Sequence, residues 1–382
     1  MRWRALAGAA VGAMALGAGL APALSADPLP LRAEELASIA ALGPWPPPLL
    51  RDASNRVSGH ADAAALGEAL FHSTRLSTVG GLRCASCHEP WRQFTDGRAH
   101  ALGAEDGVRN TPSLLNVRLQ HWFGWDGAND SLWAQSIRPM LDPREMRADA
   151  ALVARALRGD ANLERLYALA FGHAPPTDDQ AALVDAGKAL AAYQETLTSD
   201  RTPFDAFRDA IARSDAAAAA RYPVEARRGV ALFVGRGRCV TCHAGPGFSD
   251  GEFHRSRIAS KLHDGTPDSG RALGLEKLMA SPYARQGRFD DAAGAGPRTS
   301  PQPAEPGAFR TPGLREVSTT APYMHDGSIA NLCEAVEPHA TLDGSPAPTL
   351  TRSERQDLVA FLRTLSAHEK PVLVDEAAMT CR

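Results

Sequence analysis

Two short motifs constrain this chain more than any other feature: CASCH at residues 84–88 and CVTCH at residues 239–243. In the pattern C-x-x-C-H, two thiols add to the vinyl groups of a haem, and the adjoining histidine becomes an axial ligand of its iron. A zinc ribbon also contains two cysteine pairs, but it needs them closer together and has no use for a histidine directly after each pair. The doubled motif therefore predicts two covalent haems, with structural metal or disulfides as the alternatives. The predicted haem-binding residues are Cys84, Cys87 and His88 in the first motif, and Cys239, Cys242 and His243 in the second.

The sequence around the two motifs repeats as well. The repeated pairs are GEALF (67–71) with GVALF (229–233), FTDG (94–97) with FSDG (248–251), RNTPSL (109–114) with RTPGL (310–314), and WDGANDSL (125–132) with HDGSIANL (325–332). A duplicated haem module is the most economical interpretation of this self-similarity.

The remaining sequence is patterned for helices. Few runs alternate as strands do, and each half is predicted to pack amphipathic helices around its haem. Two capping boxes predict where helices begin, one formed by Thr177 with Gln180 and the other by Thr351 with Glu354. The predicted fold class is therefore all-α, with two cytochrome c-like haem domains and long loops.

The N-terminus has the pattern of a secretory signal peptide. Arg2 and Arg4 precede an apolar, alanine-rich run, and small residues follow it. We expect residues 1–26 to be removed, and no later stretch is apolar enough to span a bilayer. The mature protein is then expected in the periplasm, with an N-terminal haem domain over residues 27–215 and a C-terminal haem domain over residues 216–382.

Charge excludes one class of partner. The formal net charge is −3 and the pI is about 6.5, with basic and acidic residues interspersed rather than gathered in blocks. Without a basic stripe to bind phosphates, nucleic acid is not an expected partner.

Two cysteines remain once the haem thiols are assigned. Cys333 and Cys381 are predicted to form a disulfide in an oxidising compartment. Two free thiols are the alternative, because the sequence does not show whether these residues approach each other.

Taken together, the motifs resemble those of the bacterial di-haem cytochrome c peroxidase and MauG superfamily. The matching pieces, in order, are LGEALF, CASCH, FTDG, RNTPSLLN, WDG, EM at residues 145–146, CVTCH, TAPYMHDGS and LVAFLRTL. The resemblance implies that the N-terminal haem reacts with hydrogen peroxide and that the C-terminal haem transfers electrons.

The resemblance also assigns roles to further residues. It implies Glu145 as the distal acid–base residue, Gln135 as the distal glutamine, Trp125 between the haems, and a calcium ion bound by Asn110 and the backbone carbonyls of Thr320 and Pro322. The chemistry agrees for Glu145, because cleaving an O–O bond needs a group that takes a proton from one oxygen and delivers it to the other. A solvated charge at position 145 and ordinary core packing at position 125 are the alternatives.

One departure from the family pattern concerns activation. Peroxidases that need prior reduction carry a loop histidine that fills the resting peroxide position, whereas Gly103 and Ala104 stand at that register here. His100 is nearby but out of register. The resting enzyme is therefore predicted to need no reductive activation.

A second departure concerns the far ligand of the C-terminal haem. Cytochrome c peroxidases have methionine there and MauG has tyrosine, whereas an ungapped count from TAPYMHDG places His339 at this position. Met324 and His325 lie closer to the motif and are the alternative ligands. Nitrogen ligation stabilises oxidised iron, so a pair of histidines would make the second haem a poor acceptor of electrons from small cytochromes.

These departures favour MauG-like chemistry, in which the two haems and Trp125 share oxidising equivalents that oxidise a side chain on an exported partner protein. MauG has a tryptophan just before its second motif as a relay to its substrate, whereas this chain has Gly237. One alternative function is a scavenging peroxidase, fed by a small cytochrome or a cupredoxin. Another is a di-haem electron carrier without enzymatic activity.

Overall fold

Helices dominate the computed structural model, which describes residues 31–292, 305–337, 348–367 and 381. The α-helices are α1 Ala33–Ala41, α2 Ala61–Phe71, α3 Cys84–Cys87, α4 Leu132–Leu141, α5 Ala150–Gly159, α6 Ala161–Phe171, α7 Asp179–Gln194, α8 Pro203–Ala212, α9 Ala216–Ala219, α10 Val224–Val234, α11 Arg271–Ala280, α12 Leu332–Ala335 and α13 Arg352–Arg363. Single turns of 3-10 helix cover Thr74–Leu76, Pro90–Arg92, Val117–Leu119, Cys239–Thr241 and Val317–Thr319. The strands β1 Phe253–Arg255 and β2 Ala308–Arg310 pair antiparallel, a small sheet that the sequence did not predict.

One of the two predicted capping boxes is correct. At the start of α13, the Thr351 side chain accepts from the Glu354 backbone N–H, and the Glu354 carboxylate accepts from the Thr351 backbone N–H. At α7 the prediction was wrong by one residue, because Asp178 is the N-cap and accepts from Gln180 N–H at 2.8 Å. A carboxylate is as good a cap as a hydroxyl, and it also interacts favourably with the positive end of the helix dipole.

The two halves pack their long helices in the same way. A glycine in α2 faces α7, and a glycine in α10 faces α13. A Cβ on Gly67 would lie 2.0 Å from the carbonyl oxygen of Ala189, and one on Gly229 would lie 2.0 Å from that of Asp357. Only glycine allows backbones to approach this closely, so the repeated G in GEALF and GVALF fixes an equivalent helix pair in each half.

The buried residues form two main clusters. The first gathers side chains of α2 and α4–α7, including Phe71, Trp133 and Tyr167. The second is aromatic, with edge-to-face contacts of Phe204 on Phe248 and Phe361. Helices α1 and α8 pack in this second cluster, so the chain reaches the second core before the division expected after residue 215. That domain division stays a prediction.

Cys381 is held by a covalent bond. A disulfide joins it to Cys333 at the start of α12, with the two Cα atoms 5.1 Å apart, as predicted. None of the helices within the described ranges is both long and apolar enough to cross a bilayer. The expected signal peptide, residues 1–26, lies outside the described residues.

Candidate active site

The two C-x-x-C-H segments have matching geometry. His88 Nδ1 lies 3.0 Å from the carbonyl oxygen of Phe94, and His243 Nδ1 lies 3.0 Å from that of Phe248. Both phenylalanines have positive φ, 58° and 55°, and the two turns are thus equivalent in backbone conformation. With the proton held on Nδ1, each ring presents the Nε2 lone pair that an iron ligand needs.

The thiols of these segments suit covalent attachment. The four cysteines of the two motifs are free thiols, and none is engaged in a disulfide. Burial raises the pKa of Cys84 and Cys87 to about 12, and the charge of Glu145 contributes to the shift. Burial lowers the pKa of His88, and the charge of Glu145 acts in the opposite direction. The shared influence of Glu145 indicates that its carboxylate lies near the first motif.

Of the two predicted distal residues, Glu145 acts on the first motif through its charge, and Gln135 lies on α4. Glu145 lies in the turn that follows α4, where its carboxylate pairs with Arg138 at 2.8 Å. Gln135, on the same helix, accepts from the Asn129 amide at 2.8 Å through its Oε1. Within the described ranges the amide nitrogen of Gln135 makes no hydrogen bond, so it can act as a donor.

Trp125 connects the two halves of the repeat. Its indole N–H donates to the carbonyl oxygen of Asn110 at 2.9 Å, and its own carbonyl oxygen accepts from the Arg310 backbone at 2.9 Å. The side chain is buried, yet it lines the cavity at the second motif. An oxidisable ring therefore lines the cavity at the second motif.

The second motif opens onto a cavity of about 540 Å³. This volume lies within the range of sites for small molecules and cofactors. The cavity wall includes Cys239, Cys242, His243, Trp125, Arg310 and Met324. Two thiols and an imidazole at one cavity are the set that a covalent haem requires.

Arg310 supplies a charge that the sequence analysis missed. It is 3% exposed, and burial lowers its pKa to about 10. Its guanidinium donates to the carbonyl oxygens of Gly124 and Thr311, and no carboxylate of the described residues pairs with it. A buried cation without a counter-charge at a cavity wall fits the carboxylates of a haem. The sequence repeat aligns Arg310 with Arg109 and so indicates an arginine at this position. It does not indicate the role of Arg310, because Arg109 forms ion pairs with acidic residues.

Comparison with known proteins decides the family. A family model described as di-haem cytochrome c peroxidase matches residues 61–212. Over 326 residues, the chain is 34% identical to the methylamine utilization protein MauG of Methylorubrum extorquens, covering 82% of this chain and 81% of that protein. This chain belongs to the di-haem cytochrome c peroxidase family. It is therefore a haem-dependent oxidoreductase of the cytochrome c peroxidase or MauG type, and membership implies two c-type haems.

Other relatives carry peroxidase names. The chain is 33% identical over 353 residues to cytochrome-c peroxidase IdrP1 of Denitromonas iodatirespirans, covering 88% of each protein. Among solved structures, a MauG-like protein associated with microbial copper homeostasis matches with a TM-score of 0.62 and 28% identity, over 85% of this chain and 96% of that one. The diheme peroxidase BthA from Burkholderia thailandensis matches in fold, with a TM-score of 0.64 at 24% identity over 88% and 97% of the two chains.

The loop that carries Gly103 and Ala104, at the register of the gating histidine, packs against Glu145. The backbone N–H of Ala104 donates to the Glu145 carbonyl oxygen at 3.0 Å. A Cβ on Gly103 would lie 2.7 Å from the Cα of Glu145, so the loop approaches through a glycine. His100, the out-of-register alternative, is exposed.

The three residues expected at a calcium site line the same cavity. Asn110, Thr320 and Pro322 all contribute to its wall. The side-chain amide of Asn110 donates to the Arg98 carbonyl oxygen at 2.8 Å, and no donor among the described residues contacts its Oδ1. Asparagine and backbone carbonyl oxygens are ligands that calcium accepts.

His339, the predicted far ligand of the second haem, lies outside the described residues. Of the two alternatives, Met324 lines the cavity. His325 also borders it, but its Nε2 lies 2.7 Å from the Ser260 hydroxyl, and its ring stacks on Phe309 with centroids 3.6 Å apart. That stacking and hydrogen bond hold the His325 ring in place.

Proposed function

We propose that this peroxidase is a periplasmic, MauG-like enzyme that uses hydrogen peroxide at its N-terminal haem to oxidise a side chain of an exported partner protein. One observation carries the proposal. The loop that would hold a gating histidine instead presents Ala104, whose backbone is tied to Glu145 at 3.0 Å. A methyl group cannot ligate iron, so the fully ferric enzyme is expected to accept peroxide without prior reduction.

The distal residues perform the proton transfer. When bound, the haem of the first motif would supply an iron that binds peroxide and the electrons that reduce it. The Glu145 carboxylate would take a proton from one peroxide oxygen and deliver it to the other, which leaves as water. The Gln135 amide nitrogen would donate a hydrogen bond to the peroxide.

Trp125 and His339 are proposed to serve the second haem. Buried between the halves, Trp125 shares oxidising equivalents with that haem, and its N–H bond to Asn110 fixes the ring. We assign His339 as a residue that would hold the second haem together with His243, and a second imidazole would stabilise the oxidised iron. A calcium ion is proposed at Asn110, Thr320 and Pro322, in line with their common cavity wall. We further propose that residues 1–26 are a signal peptide and that the two haem domains divide after residue 215.

The test mixes fully ferric, haem-loaded protein with one equivalent of peroxide and follows both haem spectra in a rapid-mixing instrument. The expected result is a fast spectral change without added reductant. A change that appears only after one haem has been reduced would refute the proposal.

A scavenging peroxidase is the second candidate function, since IdrP1, which is named a cytochrome-c peroxidase, is nearly as similar to this chain as MauG is. A scavenging peroxidase would turn over continuously with peroxide and a reduced small cytochrome or cupredoxin. A MauG-like enzyme would instead accumulate its oxidised form until a partner protein is added. A pure electron carrier would show no reaction with peroxide.

A further inference from the structure

A cation lies beside the proposed acid–base residue. Arg138 is on α4, one turn after Gln135, and its Nη2 pairs with Glu145 Oε1 at 2.8 Å. Its Nη1 also lies 3.4 Å from a carboxylate oxygen of Asp142. Helix α4 therefore carries Gln135 and also Arg138, whose guanidinium reaches Glu145 in the turn after the helix.

The ion pair of Arg138 with Glu145 lies on the side of the first motif. The two side chains are 42% and 34% exposed. The charge of Glu145 acts on Cys84, Cys87 and His88, so the carboxylate that Arg138 holds lies near the residues that would bind the first haem.

The backbone of Glu145 is fixed, whereas its side chain depends on this ion pair. Backbone bonds from Glu145 to Asp142 and from Met146 to Pro139 hold the turn. In contrast, Arg138 is the partner that holds the Glu145 carboxylate among the described residues. The charges of Asp126 and Asp142 also act on Arg138, and the charge of Glu145 acts on Cys84, Cys87 and His88.

We propose that Arg138 is a positioning residue for peroxide cleavage, which holds the Glu145 carboxylate toward the first haem and balances its negative charge. This inference rests on the proposed function. In the cleavage step the O–O bond breaks and the outer oxygen leaves as water. It takes both electrons of that bond and the proton moved by Glu145, and two oxidising equivalents remain on the enzyme. Arg138 neither gains nor loses a proton.

Three variants of the haem-loaded protein test the role. Arg138→Ala is expected to slow the reaction with peroxide by on the order of 100-fold, the effect of misplacing a reacting group by about 1 Å. Arg138→Lys should recover part of the loss, because it keeps the charge but not the fork of donors. Arg144→Ala is the matched control: it removes a neighbouring arginine that is 53% exposed and lies 3.9 Å from Glu105, and it should leave the rate unchanged.

A double-mutant cycle with Glu145→Gln separates positioning from direct contact. If Arg138 acts through Glu145, then Arg138→Ala adds little to the defect of Glu145→Gln. Full additivity of the two defects would overturn the positioning role.

Fluoride affinity provides a readout besides activity. Without Arg138 the Glu145 charge is unbalanced, so the first ferric haem of Arg138→Ala should bind fluoride about tenfold more weakly than wild type by spectral titration. The same affinity in the two proteins would overturn charge balance at this site. If wild type itself fails to react with peroxide, the proposed function fails, whereas normal peroxide reaction of Arg138→Ala defeats this inference alone.

Discussion

The indole N–H of Trp125 donates to the carbonyl oxygen of Asn110 at 2.9 Å, and the backbone N–H of Asn110 donates to the carbonyl oxygen of His325 at 2.9 Å. Trp125 and His325 occupy equivalent places in the repeats WDG and HDG. Asn110 therefore bridges the two halves of the duplication at the point where they differ most in chemistry. The two hydrogen bonds thus run from the indole of Trp125 through the backbone of Asn110 to the backbone of His325.

Replacing Trp125 by Phe should interrupt the sharing of oxidising equivalents between the haems, while the first haem still reacts with peroxide. The ring stays apolar but loses its N–H bond to Asn110 and is harder to oxidise. Rapid-mixing spectra should show a normal first step and a reduced change at the second haem. Trp122→Phe is a suitable control, because Trp122 is also buried but stacks on Arg271 at 4.3 Å. Equal effects of the two substitutions would argue against a special role for Trp125.

Glu145→Gln should reduce the rate of O–O cleavage by about 10²–10⁴-fold, the usual contribution of a positioned acid–base group. Both resting spectra should stay nearly unchanged, because glutamine keeps the shape and adds no iron ligand. Stopped-flow measurement of the ferric enzyme with peroxide gives the rate. Glu105→Gln is the comparison, since Glu105 is exposed and more loosely paired. A normal rate for Glu145→Gln would remove it from the mechanism.

The sequence predicts some parts of this site well for a physical reason. Haem attachment needs two thiols and a histidine at fixed local spacing, so a motif of five residues is sufficient to locate it. Arg138 gave no such signal, and the repeat indicated only the position of Arg310, because an arginine in a sequence looks like a solvated surface charge until its contacts in the fold are known. The packing of α1 and α8 with the second core was equally hidden, since it depends on contacts between residues far apart in the chain.

The disulfide between Cys333 and Cys381 should stabilise the protein by about 4 kcal/mol, as estimated from closing a loop with a sequence separation of 48 residues. Reduction should lower the free energy of unfolding by this amount in denaturant titrations. The double variant Cys333→Ser/Cys381→Ser should match the reduced wild type and no longer respond to reductant. Labelling of both thiols in denatured, non-reduced protein would contradict the bond.

Arg310→Met should lower the reduction potential of the second haem. Burial holds the pKa of Arg310 at about 10, below that of a solvated guanidinium, but the group stays cationic at neutral pH. A nearby positive charge favours the reduced iron, so its loss should change the reduction free energy by roughly 1–2 kcal/mol. Spectroelectrochemical titration measures the effect, and Arg310→Lys should retain most of the wild-type potential. An unchanged reduction potential in Arg310→Met would show that this cation does not act on the second haem.

The ligand opposite His243 can be assigned by comparing two substitutions. Ferric wild-type protein should show one high-spin haem and one low-spin haem, the second because two imidazoles form a strong ligand field. His339→Ala should abolish the low-spin signal, and His339→Met should keep it while raising the potential. Met324→Ala is the counterpart, because Met324 lines the cavity of the second haem. If the low-spin signal survives in His339→Ala but is lost in Met324→Ala, the haem has methionine ligation. The second haem would then be suited to receive electrons from a small donor, and the scavenging function would gain over the MauG-like one.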